Sequence, residues 1–221
     1  LRNDLSNPLW NYATQQKTAP GSTFKMVSST AALCENIVDT HSKLKCTGIF
    51  DRFANEQYRC WIYPQGAHGS LNVTGGIENS CNPVFISVGL ELGVDRYYHY
   101  FEKFGLLDKT GIDLPGETTG ALIELNNLNQ TELATSSFGQ SFTVNMMQMA
   151  SAFASLINGG TYYEPHVVMA IKNSDGATIQ KINPVIVSKT VSAETCEFIK
   201  EAMYLTVQEG TATKAQVQGY V

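Results

Sequence analysis

Apolar residues Phe24, Val27, Ala31, Cys34 and Val38 recur at intervals of three and four, which is the spacing of one face of a helix. Pro20-Gly21 turns the chain just before them, so the pattern predicts a helix from about Ser22 to about Asn36. Residues 1–21, rich in Asn, Pro and Gln, read as an irregular lead-in. Residues 39–72 mix turn formers, aromatics and two cysteines, and read as a loop or hairpin insertion. Thr74 is placed to cap a short helix ending near Ser80, and Pro83 to occupy the first turn of the next, through Phe85, Val88 and Leu92 to Gly93. Val94–Phe104 forms another helix, stopped by Gly105. Residues 105–142 are rich in glycine and threonine and hold Gly111-Ile112-Asp113-Leu114-Pro115-Gly116-Glu117, which reads as a loop. Thr143 is expected to cap a helix whose inward face is Met146, Met147, Ala150, Phe153, Ala154 and Ile157, ended by Gly159-Gly160. Strands Val167–Lys172 and Thr178–Ile182 flank Ser174-Asp175-Gly176, a hairpin signal. Ser192 caps a last helix that turns Cys196, Ile199 and Met203 inward and stops at Gly210. Helix dominates, with few strands.

Composition narrows the function classes. The 221 residues, 43% apolar and 16% charged, suffice for a folded domain with a sizeable core. Fifteen Lys+Arg against twenty Asp+Glu leave a formal charge of −5, which disfavours nucleic acid or an acidic membrane surface as main partner. No apolar run has the length of a membrane span. The polar start Leu1-Arg2-Asn3-Asp4 is no signal peptide, and both ends of the sequence look cut.

The candidate chemistry begins at Ser22-Thr23-Phe24-Lys25. On a helix a serine and a lysine three apart share a face. The amine can take the hydroxyl's proton, and the helix N-terminus favours negative charge developing nearby. A four-residue pattern alone means little. Ser80-Cys81-Asn82 adds a second hydroxyl, able to relay a proton, and an amide, able to hold a peptide-like substrate and orient the lysine. S-x-x-K followed by S-x-N is the motif order of penicillin-recognising serine enzymes.

Further stretches carry the same resemblance. They are Ala19-Pro20-Gly21-Ser22-Thr23-Phe24-Lys25, Glu78-Asn79-Ser80-Cys81-Asn82-Pro83 and Gly111-Ile112-Asp113-Leu114-Pro115-Gly116-Glu117. To these add Ser137-Phe138-Gly139-Gln140, Gln148-Met149-Ala150, Asn158-Gly159-Gly160, Pro165-His166 and Glu209-Gly210-Thr211-Ala212. Together they resemble the transpeptidase domain of class B, monofunctional penicillin-binding proteins over nearly the whole chain. The resemblance implies an α+β, predominantly helical fold of the serine β-lactamase and penicillin-binding transpeptidase type. Residues 1–221 would be part of one such domain, with most of its central sheet lying outside. It implies Ser22 as nucleophile, Lys25 as base, Ser80 as relay and Asn82 as substrate amide holder. It implies peptidoglycan stem peptides as substrate, β-lactams as covalent inhibitors, no cofactor for the chemistry, and cell-wall synthesis proteins as partners. It also implies an N-terminal membrane anchor outside this segment and action at the extracytoplasmic face of a bacterial membrane.

The third family motif, K-[ST]-G, is where the sequence departs. Lys109-Thr110-Gly111 matches it literally but sits in the loop before Leu114-Pro115-Gly116, the wrong place in the family order. The working motif is expected shortly after Val221. A β-lactam-sensing receptor and a catalytically silent scaffold are therefore the alternative readings. Glu124-Leu125-Asn126 weakly resembles the deacylating segment of class A β-lactamases. Its place after the Pro-Gly-Glu loop makes Glu124 a surface residue, and an acyl-enzyme without a deacylating base should persist.

Cys46, Cys60 and His68 fall in the 39–72 insertion, with Asp51 and Glu56 between the cysteines and Asp51 the carboxylate taken as ligand. Two thiolates, an imidazole and a carboxylate would complete a tetrahedral zinc site. A Cys46–Cys60 disulfide and unlinked thiols are the competing readings. Cys34 and Cys196 read as core, and Cys81 as packed beneath the second motif.

Overall fold

The structure is a computed structural model and describes residues 9–54 and 56–220. The polar start of the lead-in and Val221 lie outside these.

Helices build most of it. Helix α1 spans Tyr12–Gln15, and strand β1, Lys17–Thr18, pairs antiparallel with Val144–Asn145. The lead-in is thus structured where the sequence reads as irregular, because Asn11 caps α1 and the backbone finds a partner strand far along the chain. A tight 3-10 turn, Gly21–Phe24, opens into α2, Lys25–Cys34. Helices α3 (Val73–Glu78), α4 (Asn82–Leu92), α5 (Val94–Lys103), α6 (Gln130–Ser136), α7 (Met146–Ile157) and α8 (Ala193–Gln208) follow. Helix α2 is central, packed against α4, α5 and α8.

Phe24 explains why the turn before α2 is fixed. Its ring is 1% exposed. It stacks on Phe101 at 5.3 Å and meets the rings of Phe142 and Tyr97 edge-on at 4.8 and 6.1 Å. Burying such a ring is worth about 1.5–3 kcal/mol, so the residue between Thr23 and Lys25 is the anchor of the turn.

Strands occur only as two-stranded pairs among the described residues. In the 39–72 insertion, Leu44–Cys46 pairs with Gly69–Leu71, and Ile49–Phe53 with Glu56–Arg59 inside it. The predicted hairpin forms as Ala170–Lys172 against Thr178–Lys181, and Thr161–Tyr163 pairs with Ile186–Lys189. No helix among the described residues is long and apolar enough to cross a membrane.

Three readings need correction. Asn72 caps α3 and Asn145 caps α7, rather than Thr74 and Thr143, because each Asn side chain accepts an N–H of the first turn. Helix α6 lies in the glycine- and threonine-rich stretch 105–142, where no helix is expected from periodicity, although Asn129 and Glu132 form a reciprocal capping box. The expected inward face of α7 largely points out, with Met146 and Ile157 more than half exposed. Its buried face is Gln148, Ser151, Ala152, Ser155 and Leu156. Gln148 decides this orientation. Its side chain accepts from Asn145 N and Gly120 N and donates to the carbonyls of Leu106 and Asp108, satisfying four backbone groups at once.

Candidate active site

Two segments meet at Lys25. The first turn of α2 carries Ser22 and Lys25, and the junction between α3 and α4 carries Ser80 and Asn82. Lys25 Nζ lies 3.0 Å from Ser22 Oγ, 2.8 Å from Ser80 Oγ, 2.8 Å from the Ser80 carbonyl and 2.7 Å from Asn82 Oδ1. Ser22 is exposed and Lys25 is 1% exposed.

The partners set the proton arrangement. The Ser80 carbonyl and Asn82 Oδ1 can only accept, so they take two N–H groups of Lys25. A neutral amine then has its lone pair left for a hydroxyl, and the two hydroxyls near it are those of Ser22 and Ser80. Burial pushes the Lys25 pKa down to about 8, against the opposing influence of the Cys81 and Cys60 sulfurs.

Ser80 holds its place in the left-handed region, at φ 46°. A non-glycine residue there carries about 1–2 kcal/mol of strain. The local sequence imposes it: Cys81 N donates to the Gly76 carbonyl and Ser80 N to that of Ile77, closing α3, and Pro83 then starts α4.

The turn carrying Ser22 is clamped by the stretch after α6. Gly21 N donates to the Gly139 carbonyl at 2.8 Å, and Ser28 Oγ to the Ser137 carbonyl at 2.7 Å. A Cβ on Gly139 would lie 1.9 Å from the Gly21 carbonyl oxygen. Phe138-Gly139-Gln140 thus touches the residue before Ser22, a contact that sequence spacing does not signal.

Lys109-Thr110-Gly111 has no free hydroxyl to offer. Thr110 is buried, and Glu117 accepts its Oγ–H and its N–H, and the N–H of Gly111. Glu124 is exposed at the start of a 3-10 turn.

With this geometry in place, comparison with known proteins is decisive. The family described as penicillin binding protein transpeptidase domain matches residues 1–221. The chain belongs to that family. It is 37% identical over 206 residues to stage V sporulation protein D of Bacillus subtilis, covering 91% of this chain and 31% of that protein. It is 31% identical over 194 residues to the peptidoglycan D,D-transpeptidase MrdA of Escherichia coli K12, covering 83% and 30% respectively. The chain thus spans about a third of the length of these relatives. Among solved structures, the D,D-transpeptidase domain of a peptidoglycan glycosyltransferase from Eggerthella lenta superposes with a TM-score of 0.86 at 25% identity, over 97% of this chain and 55% of that one. Penicillin binding protein 3 of Mycobacterium tuberculosis, complexed with aztreonam, gives the same TM-score and identity over 98% of this chain and 49% of that one. The fold is accordingly the α+β transpeptidase fold in part, its helical portion described here.

The expected metal ligands are only partly brought together. Cys46, Cys60 and His68 converge, but Asp51 does not join them; it sits exposed on strand Ile49–Phe53. The fourth group is Cys81. All five cysteines are free thiols, so the Cys46–Cys60 disulfide is absent. Sequence spacing gave no sign that the α3–α4 junction folds back over the insertion.

Proposed function

We propose that this chain carries the nucleophile half of a peptidoglycan D,D-transpeptidase site that β-lactams acylate. The convergence of Ser22, Ser80 and Asn82 on the buried amine of Lys25 is the observation that carries this reading. Neutral Lys25 takes the Ser22 proton as Oγ attacks the carbonyl of the penultimate D-alanine in a stem peptide. The bond to the terminal D-alanine breaks, and its nitrogen receives a proton relayed through Ser80. Asn82 holds the peptide amide. An amine of a neighbouring stem then takes the acyl group from Ser22, which recovers its proton, and a cross-link forms. The Ser22 N–H supplies part of the oxyanion hole. The rest of the pocket, including the K-[ST]-G wall, is proposed to come from chain outside residues 1–221, consistent with the greater length of the relatives.

The serine, the amine and the relay supply the nucleophile and the proton transfers, so the chemistry needs no cofactor; a zinc ion at the cysteine–histidine group would be structural. The partners would be cell-wall synthesis proteins, with a membrane anchor elsewhere in the protein and action at the extracytoplasmic face. Among the described residues no carboxylate hydrogen-bonds to Ser22, Lys25, Ser80 or Asn82, so a penicilloyl adduct should persist.

Incubating the protein as the cell makes it with a fluorescent penicillin tests this. Stable labelling in equimolar amount is expected. Rapid turnover would make it a β-lactamase, and no labelling would make it a silent scaffold; either contradicts the proposal. The pH dependence follows from Lys25. The amine is the active form, and it dominates above a pKa of about 8. Acylation should fall about tenfold per pH unit below that value and level off above it. A rate that is flat from pH 6 to 9, conditions chosen to lie about the expected inflection, would remove Lys25 as the base.

A further inference from the structure

The last turn of α3 leads straight into Ser80, so whatever holds that turn decides where Ser80 and Asn82 stand against Lys25. Its carbonyls can be followed one by one. Gly75 accepts from Asn79 N, Gly76 from Cys81 N and Ile77 from Ser80 N, all within the turn itself. The Ser80 carbonyl accepts from Lys25 Nζ. The two carbonyls between take no donor from the turn, as is usual at a helix C-terminus, and distant chain supplies one to each. Trp61 Nε1–H donates to the Asn79 carbonyl at 2.8 Å, and Thr211 N–H to that of Glu78 at 2.9 Å.

Thr211 follows the end of α8. Glu209 N and Gly210 N both donate to the Leu205 carbonyl, and Ala212 N to that of Thr206. The chain thus folds back over the last turn of that helix and presses Gly210 against Glu78. A glycine just past a helix end ordinarily serves a left-handed conformation. Gly210 has no positive φ, so conformation does not require a glycine there. Space does. A Cβ on Gly210 would lie 2.8 Å from the Glu78 carbonyl oxygen, 2.8 Å from Thr206 Cα and 2.9 Å from the Thr206 oxygen. All three are backbone atoms, so the end of α8 would have to move away from the end of α3.

We propose that Gly210 and the N–H of Thr211 are positioning elements of the reaction: they lock the end of α8 onto the end of α3 and so hold Ser80 and Asn82 within reach of Lys25. Neither touches a reacting group. Ser80 is the residue most exposed to a shift, because it stands at φ 46° and both its Oγ and its carbonyl are 2.8 Å from Lys25 Nζ. The arrangement parallels that of Gly139 on Gly21. Each of the two segments meeting at Lys25 is fixed where a glycine lets distant backbone close on it.

The effect on rate rests on the transpeptidase reading; the effect on structure does not, and the test reads both. Gly210→Ala should slow acylation by a β-lactam about 10–100-fold, the upper figure being the cost of a displacement of about 1 Å. Thr211→Pro removes the donor at a place past a helix end where proline is common, and should slow acylation too. The double variant should be no slower than the worse single one, since both act through one contact. Gln216→Ala is the control. It removes a donor from the Val207 and Gln208 carbonyls at the end of α8 without touching α3, and should acylate as the wild type does. In both clamp variants the pH inflection should rise above about 8, because water reaching Lys25 relieves the burial that holds its pKa down. Either variant acylating at the wild-type rate, or slowed with its inflection unmoved, would overturn the positioning role. If the wild type itself does not label, the transpeptidase reading fails and hydrogen exchange decides the clamp. Faster exchange confined to the amides of Ser80 and Cys81 in Gly210→Ala would support it; an increase spread over the molecule, or none, would contradict it.

Discussion

Lys25→Met is expected to slow covalent capture of a β-lactam by about 10²–10⁴-fold, the usual contribution of a positioned general base. Methionine nearly matches the lysine in volume and removes only the amine. The Ser80 carbonyl and Asn82 Oδ1 would lose their donor, which costs stability; relief from burying an amine offsets part of it. The variant should therefore fold, and a thermal melt alongside the acylation time course would show it. Lys25→Arg separates charge from basicity: it keeps the charge but cannot give up its proton at neutral pH, so it too should be slow. A methionine variant that acylates at the wild-type rate would show that Ser22 is activated by something else.

Gly139→Ala should be nearly as damaging, although Gly139 takes no part in proton transfer. An alanine there needs the left-handed conformation, since Gly139 has φ 84°, and its methyl carbon would sit 1.9 Å from the Gly21 oxygen and 2.6 Å from the Gly21 carbonyl carbon. Backbone cannot yield as a flexible side chain can, so the turn carrying Ser22 must shift. A displacement of about 1 Å in a reacting group can cost 10²-fold in rate. Gly176→Ala is the control. It has a similar φ of 82° with nothing within 4 Å of the added carbon. It should cost about 1–2 kcal/mol from conformation alone and leave acylation unchanged. The two variants, compared by melting temperature and acylation rate, separate strain from displacement of Ser22. Equal acylation by both would mean that Gly139 does not position Ser22.

The contrast between these residues shows what a sequence makes legible. Ser22 and Lys25 could be paired in advance because helical spacing puts them on one face and Pro20-Gly21 marks where the helix begins. The motif order suggested Ser80 and Asn82, but their approach to Lys25 depends on how α3 meets α4. Gly139 remained hidden because its role is a contact with Gly21, far away in sequence. Cys81 remained hidden for a similar reason. Asp51 lies between Cys46 and Cys60 in sequence, yet strand alternation turns it to solvent, while the returning chain delivers Cys81. Helix α7 misled in a different way. Its apolar residues form a plausible inward face, but four hydrogen-bonding demands on Gln148 outweigh them and turn that face outward. Periodicity counts apolar area and is blind to the backbone groups a buried amide must satisfy.

The most direct test of the central claim is to treat the protein with benzylpenicillin, digest it and locate the adduct by peptide mass spectrometry. A single penicilloyl group on Ser22, absent from Ser22→Ala, is the predicted result. An adduct on any other residue, or one that survives Ser22→Ala, would contradict the assignment of Ser22 as the nucleophile.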